Sequence, residues 1–385
     1  MIYYGKQSID QDDIDAVVEV LKSDLITQGP VSTQFEQAIS VYTGAKYAVA
    51  CSNGTAALHL ACLSLGVGKG DIVWTVPNTF VASASCALYC GATVDFVDID
   101  DQTLNISTIE LDAKLERAAR NKSLPKVVIP VHFAGNPCDL KALKKLSEQY
   151  GFYIVEDACH ALGAEYDGEK IGSCRYSDIS VFSFHPVKSI TTGEGGILVT
   201  NNERIASSAR LLANHGITRD ETLMLNESDG PWYYEQITLG FNYRITDIQA
   251  ALGVSQLKKL DDFIEKRTQI AGRYNSAFES LSFGTQKLTA NASSSHHLYT
   301  LSFSSDLDAS KADVFESLLS KGIVANCHYI PVHLQPVYQA KGFKSGDFPV
   351  AENYYQKTLS LPIYPLLTEN EQNRVIDAIL NVIQH

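Results

Sequence analysis

Between Tyr47 and Thr200 the chain alternates short apolar runs with helical stretches, and no other feature restricts its fold as strongly. Runs at 47–51, 71–76, 93–98, 126–132, 152–157, 179–184 and 197–200 read as strands. Their apolar residues occupy both alternating sets of positions, so neither strand face is left for water. Helical stretches at 56–65, 81–88 and 109–120 fall between them, the last with Ser107 and Glu110 at capping-box spacing. A further helix is capped by Asp139 and ends before Gly151. The pattern predicts an α/β fold, with a mostly parallel central sheet covered by helices on both faces. Ligands of such sheets bind beyond the carboxyl ends of the strands. Three stretches follow strands in this way: Ser52-Asn53-Gly54-Thr55, Asp157, and Ser183 to Lys188.

Outside this region the pattern differs. Asp10–Leu21 and Val31–Tyr42 read as helices, broken apart by Thr27-Gln28-Gly29-Pro30. After a helix at 206–214, the polar segment Arg219–Tyr234 reads as a long loop. A long helix capped by Thr246 is predicted to run through Leu257 to about Phe278. Then come a strand at 297–303, a helix at 311–319, a strand at 323–328 and a helix capped by Thr368 and Glu371 that ends at Ile383. A chain of 385 residues has room for about two domains. The expected division is a large domain over 1–250, then a linking helix and a small α+β C-terminal domain over 251–385.

The net charge of −13 argues against non-specific binding to nucleic acid or an anionic membrane. No apolar run approaches the roughly 20 residues that span a bilayer. The N-terminal Met1-Ile2-Tyr3-Tyr4-Gly5 lacks the basic and apolar regions of a signal peptide. Eight scattered cysteines form none of the closely spaced pairs of a zinc site and read as the reduced, mostly buried thiols of a cytoplasmic protein. His328 and His333 sit in no ligand pattern, so no metal is expected. The first strand is not followed by G-x-G-x-x-G, which argues against a nicotinamide dehydrogenase.

Lys188 lies among apolar or small residues, where poor hydration favours a neutral, nucleophilic amine suited to Schiff-base chemistry with an aldehyde. The alternative is a solvated surface lysine. Asp157 ends an apolar strand; it either caps or pairs locally, or holds the ring nitrogen of a pyridine cofactor in its protonated form. Gly54 and Thr55 open a helix whose free N–H groups suit a phosphate, or serve only as a cap. Ser183 is either a phosphate donor or a plain strand hydroxyl. Phe80 and His160 either cover the two faces of a ring or belong to the core.

Taken together, these stretches resemble the DegT/DnrJ-type sugar aminotransferases, pyridoxal-phosphate enzymes of fold type I that act on nucleotide-linked keto sugars. The resemblance spans nearly the whole chain and is carried by residues 25–30, 52–58, 156–158, 183–188, 194–196 and 240–247. It implies pyridoxal 5′-phosphate as cofactor, with Lys188 as covalent partner of the aldehyde and as general acid and base. Asp157 would take the ring nitrogen, Gly54, Thr55 and Ser183 the phosphate, and Phe80 and His160 the ring faces. The family's homodimers share their sites, which implies that Asn242 reaches the phosphate from the partner subunit. Residues 184–192 and 324–332 are most similar to the pseudaminic-acid branch. That branch implies L-glutamate as donor and C4 of a UDP-linked 4-keto-6-deoxy-N-acetylhexosamine as acceptor. Substrate contacts would come from Tyr4, Thr27, His328 and Tyr329, with Ser183 and Asn242 beside them. Two departures stand out: Ser52-Asn53-Gly54-Thr55 where the branch often has Asn-Ser-Ala-Thr, and Ile330 where it has lysine. The alternatives are a C3 or C4 aminotransferase for a GDP- or dTDP-linked keto sugar, or a non-catalytic sensor of the same fold. A sugar dehydratase of this fold would carry histidine in place of Lys188.

Overall fold

Two-sided burial of alternating residues accounts for the central sheet. The computed structural model describes residues 1–279, 283–303 and 310–383. Seven strands form one sheet in the order Tyr47–Cys51, Gly196–Thr200, Ile179–Ser183, Tyr153–Asp157, Val127–Val128, Ile72–Thr75 and Thr93–Phe96. Successive side chains point to opposite faces. Val73, Val127, Val155, Val181 and Leu198 enter one core with the helices Gly54–Ser64, Ala82–Tyr89 and Glu203–Ala213. Trp74, Val128, Ile154, Phe182 and Ile197 enter another with the helices Pro30–Thr43, Thr108–Asn121 and Leu140–Tyr150. None of these ten strand residues is more than 2% exposed, so the sheet has no wet face.

Neighbouring strands run parallel except Gly196–Thr200, which is antiparallel to both its partners. The chain turns straight back after Ser183 without a crossover helix, and a direct return can only pair antiparallel. Gly196 lies between Cys51 and Ser183 in register. A Cβ there would meet the Asn53 carbonyl oxygen at 2.3 Å, so only glycine lets the Asn53–Gly54 turn lie this close.

Several boundaries differ from the sequence expectation. The strand expected over 126–132 is regular only at Val127–Val128, because Pro130 offers no N–H to the ladder; its carbonyl still accepts from Asp157 N at 2.9 Å, and Val131 bridges Asp157 as an isolated pair. The strand expected over 323–328 stops at Val324, where it pairs parallel with Ile2–Tyr3. Asn326 then bridges to Ser360, and His328 lies beyond the strand. The single long helix is two helices, Asp247–Leu257 and Leu260–Phe278. At the turn between them Lys259 pairs with Asp10 and, at 3.0 Å, with the fully buried Asp13. Arg219–Tyr234 is irregular, as expected, and Glu235 holds it by accepting from Asn226 N and Tyr233 Oη, each at 2.9 Å.

A third core gathers Ile2, Tyr274, Phe278, Leu301, Leu318, Leu359 and Ile379. Around it lie the antiparallel strands Gly284–Thr285, Tyr299–Ser302 and Thr358–Leu361 and the helices Lys311–Ser320 and Glu369–Ile383. Arg267 is fully buried where this region meets the large sheet, donating to the carbonyls of His297 at 3.2 Å and Ile363 at 2.9 Å. Among the described residues, no helix is long and apolar enough to cross a membrane.

Candidate active site

Beyond the carboxyl ends of the strands lies a cavity of about 890 Å³. Its walls bring together Tyr4, Gly54, Thr55, Phe80, Asp157, His160, Ser183, Lys188, His328 and Tyr329, ten of the twelve residues singled out in the sequence. Thr27 and Asn242 lie outside it. Both are exposed, Thr27 bridged to Thr246 and Asn242 to Asn214.

The lysine loop is pinned at its root. Phe184 N donates to Gly195 O at 2.9 Å, Phe184 O accepts from Thr192 N at 3.0 Å, and Lys188 N closes a turn onto His185 O at 2.9 Å. Lys188 is half-buried, and burial lowers its pKa below that of a free lysine against the opposing pull of Cys159 and Asp157. A larger neutral fraction of the amine is what nucleophilic attack on a carbonyl needs.

Asp157, 6% exposed, is a carboxylate with both oxygens engaged. Oδ2 accepts from Ser83 Oγ at 2.6 Å and Oδ1 from Cys159 N at 3.2 Å. Each oxygen keeps a free lone pair for a further donor. The preceding Glu156 faces the opposite side of the strand and is taken up elsewhere. It accepts from Ser180 Oγ at 2.8 Å and lies 2.6 Å from His132 Nε2, whose other nitrogen accepts from Cys138 N. Alternation along one strand thus separates a structural carboxylate from one that faces the cavity.

At the other end, the helix Gly54–Ser64 begins on the Asn53 cap, whose side chain accepts from Ala56 N at 2.8 Å. The N–H groups of Gly54 and Thr55 find no acceptor among the described residues, and the helix dipole makes this end favourable for an anion. A Cβ on Gly54 would meet Ser183 Cβ at 2.9 Å, so glycine keeps the Ser183 hydroxyl next to those N–H groups.

The remaining wall is aromatic. His160 Nε2 lies 3.0 Å from Tyr329 Oη, and the two rings stack at 6.1 Å with 21° between planes. His297 packs on His160 at 4.3 Å. His328 Nδ1 lies 2.8 Å from Ser360 Oγ, and its ring is 5.2 Å from Tyr4. Burial, then the Lys188 charge, lowers the pKa of His328 to about 3, and burial holds His160 and His297 well below the usual histidine range. All three imidazoles are therefore neutral at physiological pH. Phe80 is 57% exposed at the rim, 6.5 Å from Tyr329, so it is not a core residue.

Asn53, Thr79, Cys159, Glu194, Tyr243, His297 and Asn326 also line the cavity, and the sequence had not marked them as functional. The polar run Ser294-Ser295-His296-His297 ahead of an apolar strand was a readable signal for His297. Ser83 carried none, since nothing local links it to Asp157, 74 residues away.

The donor set fits one kind of cofactor. A carboxylate can accept from a ring N–H, a partly neutral amine can attack an aldehyde, and a helix end with a serine hydroxyl can receive a phosphate. Fold and cavity together define a pyridoxal-phosphate aminotransferase. The chain belongs to the DegT/DnrJ/EryC1/StrS aminotransferase family, whose profile matches residues 7–380. It is 38% identical over 389 residues to the UDP-4-amino-4,6-dideoxy-N-acetyl-beta-L-altrosamine transaminase of Campylobacter jejuni, covering 100% of this chain and 98% of that one. Helicobacter pylori PseC, an aminotransferase involved in the biosynthesis of pseudoaminic acid, superposes with a TM-score of 0.90 at 30% identity, over 100% and 99% of the two chains. The PLP-form of the sugar aminotransferase Spr1654 from Streptococcus pneumoniae, described as putative, superposes with a TM-score of 0.88 at 29% identity, over 99% and 98%.

Proposed function

We propose that the protein transfers the amino group of L-glutamate to C4 of a UDP-linked 4-keto-6-deoxy-N-acetylhexosamine, the precursor class of pseudaminic acid. The observation that carries this reading is one cavity holding Lys188 and Asp157 against a wall of Tyr4, His328 and Tyr329, in a chain similar end to end to a transaminase of that sugar class. Pyridoxal phosphate, when bound, supplies an electron sink for the carbanion formed at the reacting carbon. Lys188 would hold its aldehyde, and the Lys188 amine would take the donor's α-proton and move it along one face. Asp157 keeps the ring nitrogen protonated. Gly54, Thr55 and Ser183 hold the phosphate, and Phe80 and His160 flank the ring. The neutral His328 and the Tyr329 hydroxyl offer hydrogen bonds to the sugar without adding charge.

The same reading makes the protein a homodimer with shared sites. Leu225, Trp232 and Leu239 are 79%, 68% and 80% exposed on the segment just before Asn242, more apolar surface than a lone subunit gains from presenting to water. The Thr27–Thr246 bridge sets Thr27 beside the same segment, which supports both Thr27 and Asn242 serving the partner's cavity. We place the protein in the cytoplasm, where eight free thiols stay reduced. We divide the chain at residue 250 into a large domain and a linking helix with a small domain; the packing of Ile270, Tyr274 and Phe278 in the third core supports a separate small domain.

The test is a side-by-side rate comparison of the L-altro-configured UDP keto sugar, its D-gluco C5 epimer and GDP-4-keto-6-deoxymannose, with glutamate as donor. Fastest turnover of the first is expected. Ile330, 48% exposed beside Tyr329, is where the branch carries a lysine, and fastest turnover of the GDP sugar would move the assignment to another nucleotide class.

A further inference from the structure

We infer that Ser83, backed by Thr79, is the positioning residue that aims the Asp157 carboxylate at the cofactor ring, an inference that rests on the role proposed above for Asp157. Ser83 is fully buried in the first turn of the helix Ala82–Tyr89, among Ala82, Ala84 and Ala87. Alanine fills such positions on either side, so space alone does not call for a serine. Its hydroxyl has one proton and three oxygen neighbours: Asp157 Oδ2 at 2.6 Å, Thr79 Oγ1 at 2.8 Å and Phe80 O at 3.3 Å. An ionised carboxylate can only accept, and the bond to it is by far the strongest of the three. The Ser83 proton therefore goes to Asp157, and Thr79, 2% exposed, must donate its own proton to Ser83.

The result is a one-way chain of donors, Thr79 to Ser83 to Asp157. Cys159 N donates to the other carboxylate oxygen, so the carboxylate plane is fixed about the Cβ–Cγ bond from both sides. Without Ser83 the carboxylate plane is held from one side only, by Cys159 N, and the contact that keeps the ring nitrogen protonated loosens. A less firmly protonated ring withdraws fewer electrons from the imine nitrogen that Lys188 contributes, which then holds its proton to higher pH.

The experiment compares holoenzymes of the wild type, Ser83→Ala, Thr79→Val, Thr79→Ser and Asp157→Asn. Three quantities are read: the pH midpoint of the bound cofactor's visible band, the cofactor dissociation constant, and kcat against KM for the sugar. In Ser83→Ala the midpoint should rise by about one unit, a tenfold change in proton affinity. Cofactor binding should weaken by about tenfold and kcat fall by about tenfold at unchanged KM, the scale of one hydrogen bond to a charged group. Thr79→Val, which keeps the shape and removes the hydroxyl, should move the midpoint the same way by less, and Thr79→Ser should return it to the wild-type value. Asp157→Asn should move it furthest. A midpoint that moves in Asp157→Asn but not in Ser83→Ala or Thr79→Val would overturn the positioning role while leaving Asp157 in place. An unmoved midpoint in Asp157→Asn itself would overturn both. Since Thr79→Val is isosteric, the proposal remains testable even if Ser83→Ala fails to fold.

Discussion

Acid should destabilise this protein partly through His328, and the amount follows from its surroundings. The side chain is 6% exposed, and burial together with the Lys188 charge lowers its pKa from 6.5 to about 3. Between these two values the unfolded chain binds a proton that the folded chain refuses, so stability is present above pH 6.5 and is lost as pH falls toward 3. From pH 7 to pH 5 the loss from this one group is about 2 kcal/mol, at 1.36 kcal/mol per unit. His328→Gln removes the titrating group while keeping a polar atom for Ser360. The assay is urea unfolding of the cofactor-free protein at both pH values, taking midpoint and slope for each variant. The wild type should lose about 2 kcal/mol more than His328→Gln over that interval, because every other titrating group is common to both. Equal losses would refute the argument, since they would mean that the imidazole is as easily protonated in the folded protein as in water.

Lys188→Ala should fold and lose transamination, and borohydride reduction of the wild-type holoenzyme should fix the cofactor on Lys188; a label on any other lysine sinks the assignment. Asp157→Asn should still bind cofactor while turnover drops by about a hundredfold or more, whereas near-wild-type turnover would reduce Asp157 to a local cap. Equal co-refolding of inactive Lys188→Ala with inactive Asn242→Trp should restore about a quarter of wild-type activity, since half the dimers are mixed and each of those has one intact site. No recovery in verified mixed dimers contradicts the shared site. Lys259→Met, which strands the buried Asp13 charge, should cost about 2–3 kcal/mol, read from the urea midpoint; an unchanged midpoint would show that Gln256, 2.6 Å from Asp13, suffices alone.

What the sequence determined by itself is the α/β alternation and the stretches that end at the cavity. Both are local. An apolar run such as Ile179–Phe184 has no wet face in any arrangement, and Asn53 caps the helix after it through a neighbour three residues on. Motifs of that range, Ser52 to Thr55 and Ser183 to Lys188, were therefore legible before any contact was known, and ten of the twelve marked residues share one cavity. Only the tertiary structure decided the rest. It ended the 323–328 strand at Val324, because the partner strand Ile2–Tyr3 is just two residues long. It broke the long helix at Lys258–Lys259, where the gain is an ion pair with Asp13, some 246 positions away in the chain. It also chose Ser83 for Asp157 and set His297 against His160. A buried polar group must find its partner wherever packing brings one, and the free energy of that match depends on distance in space, which no window along the sequence records.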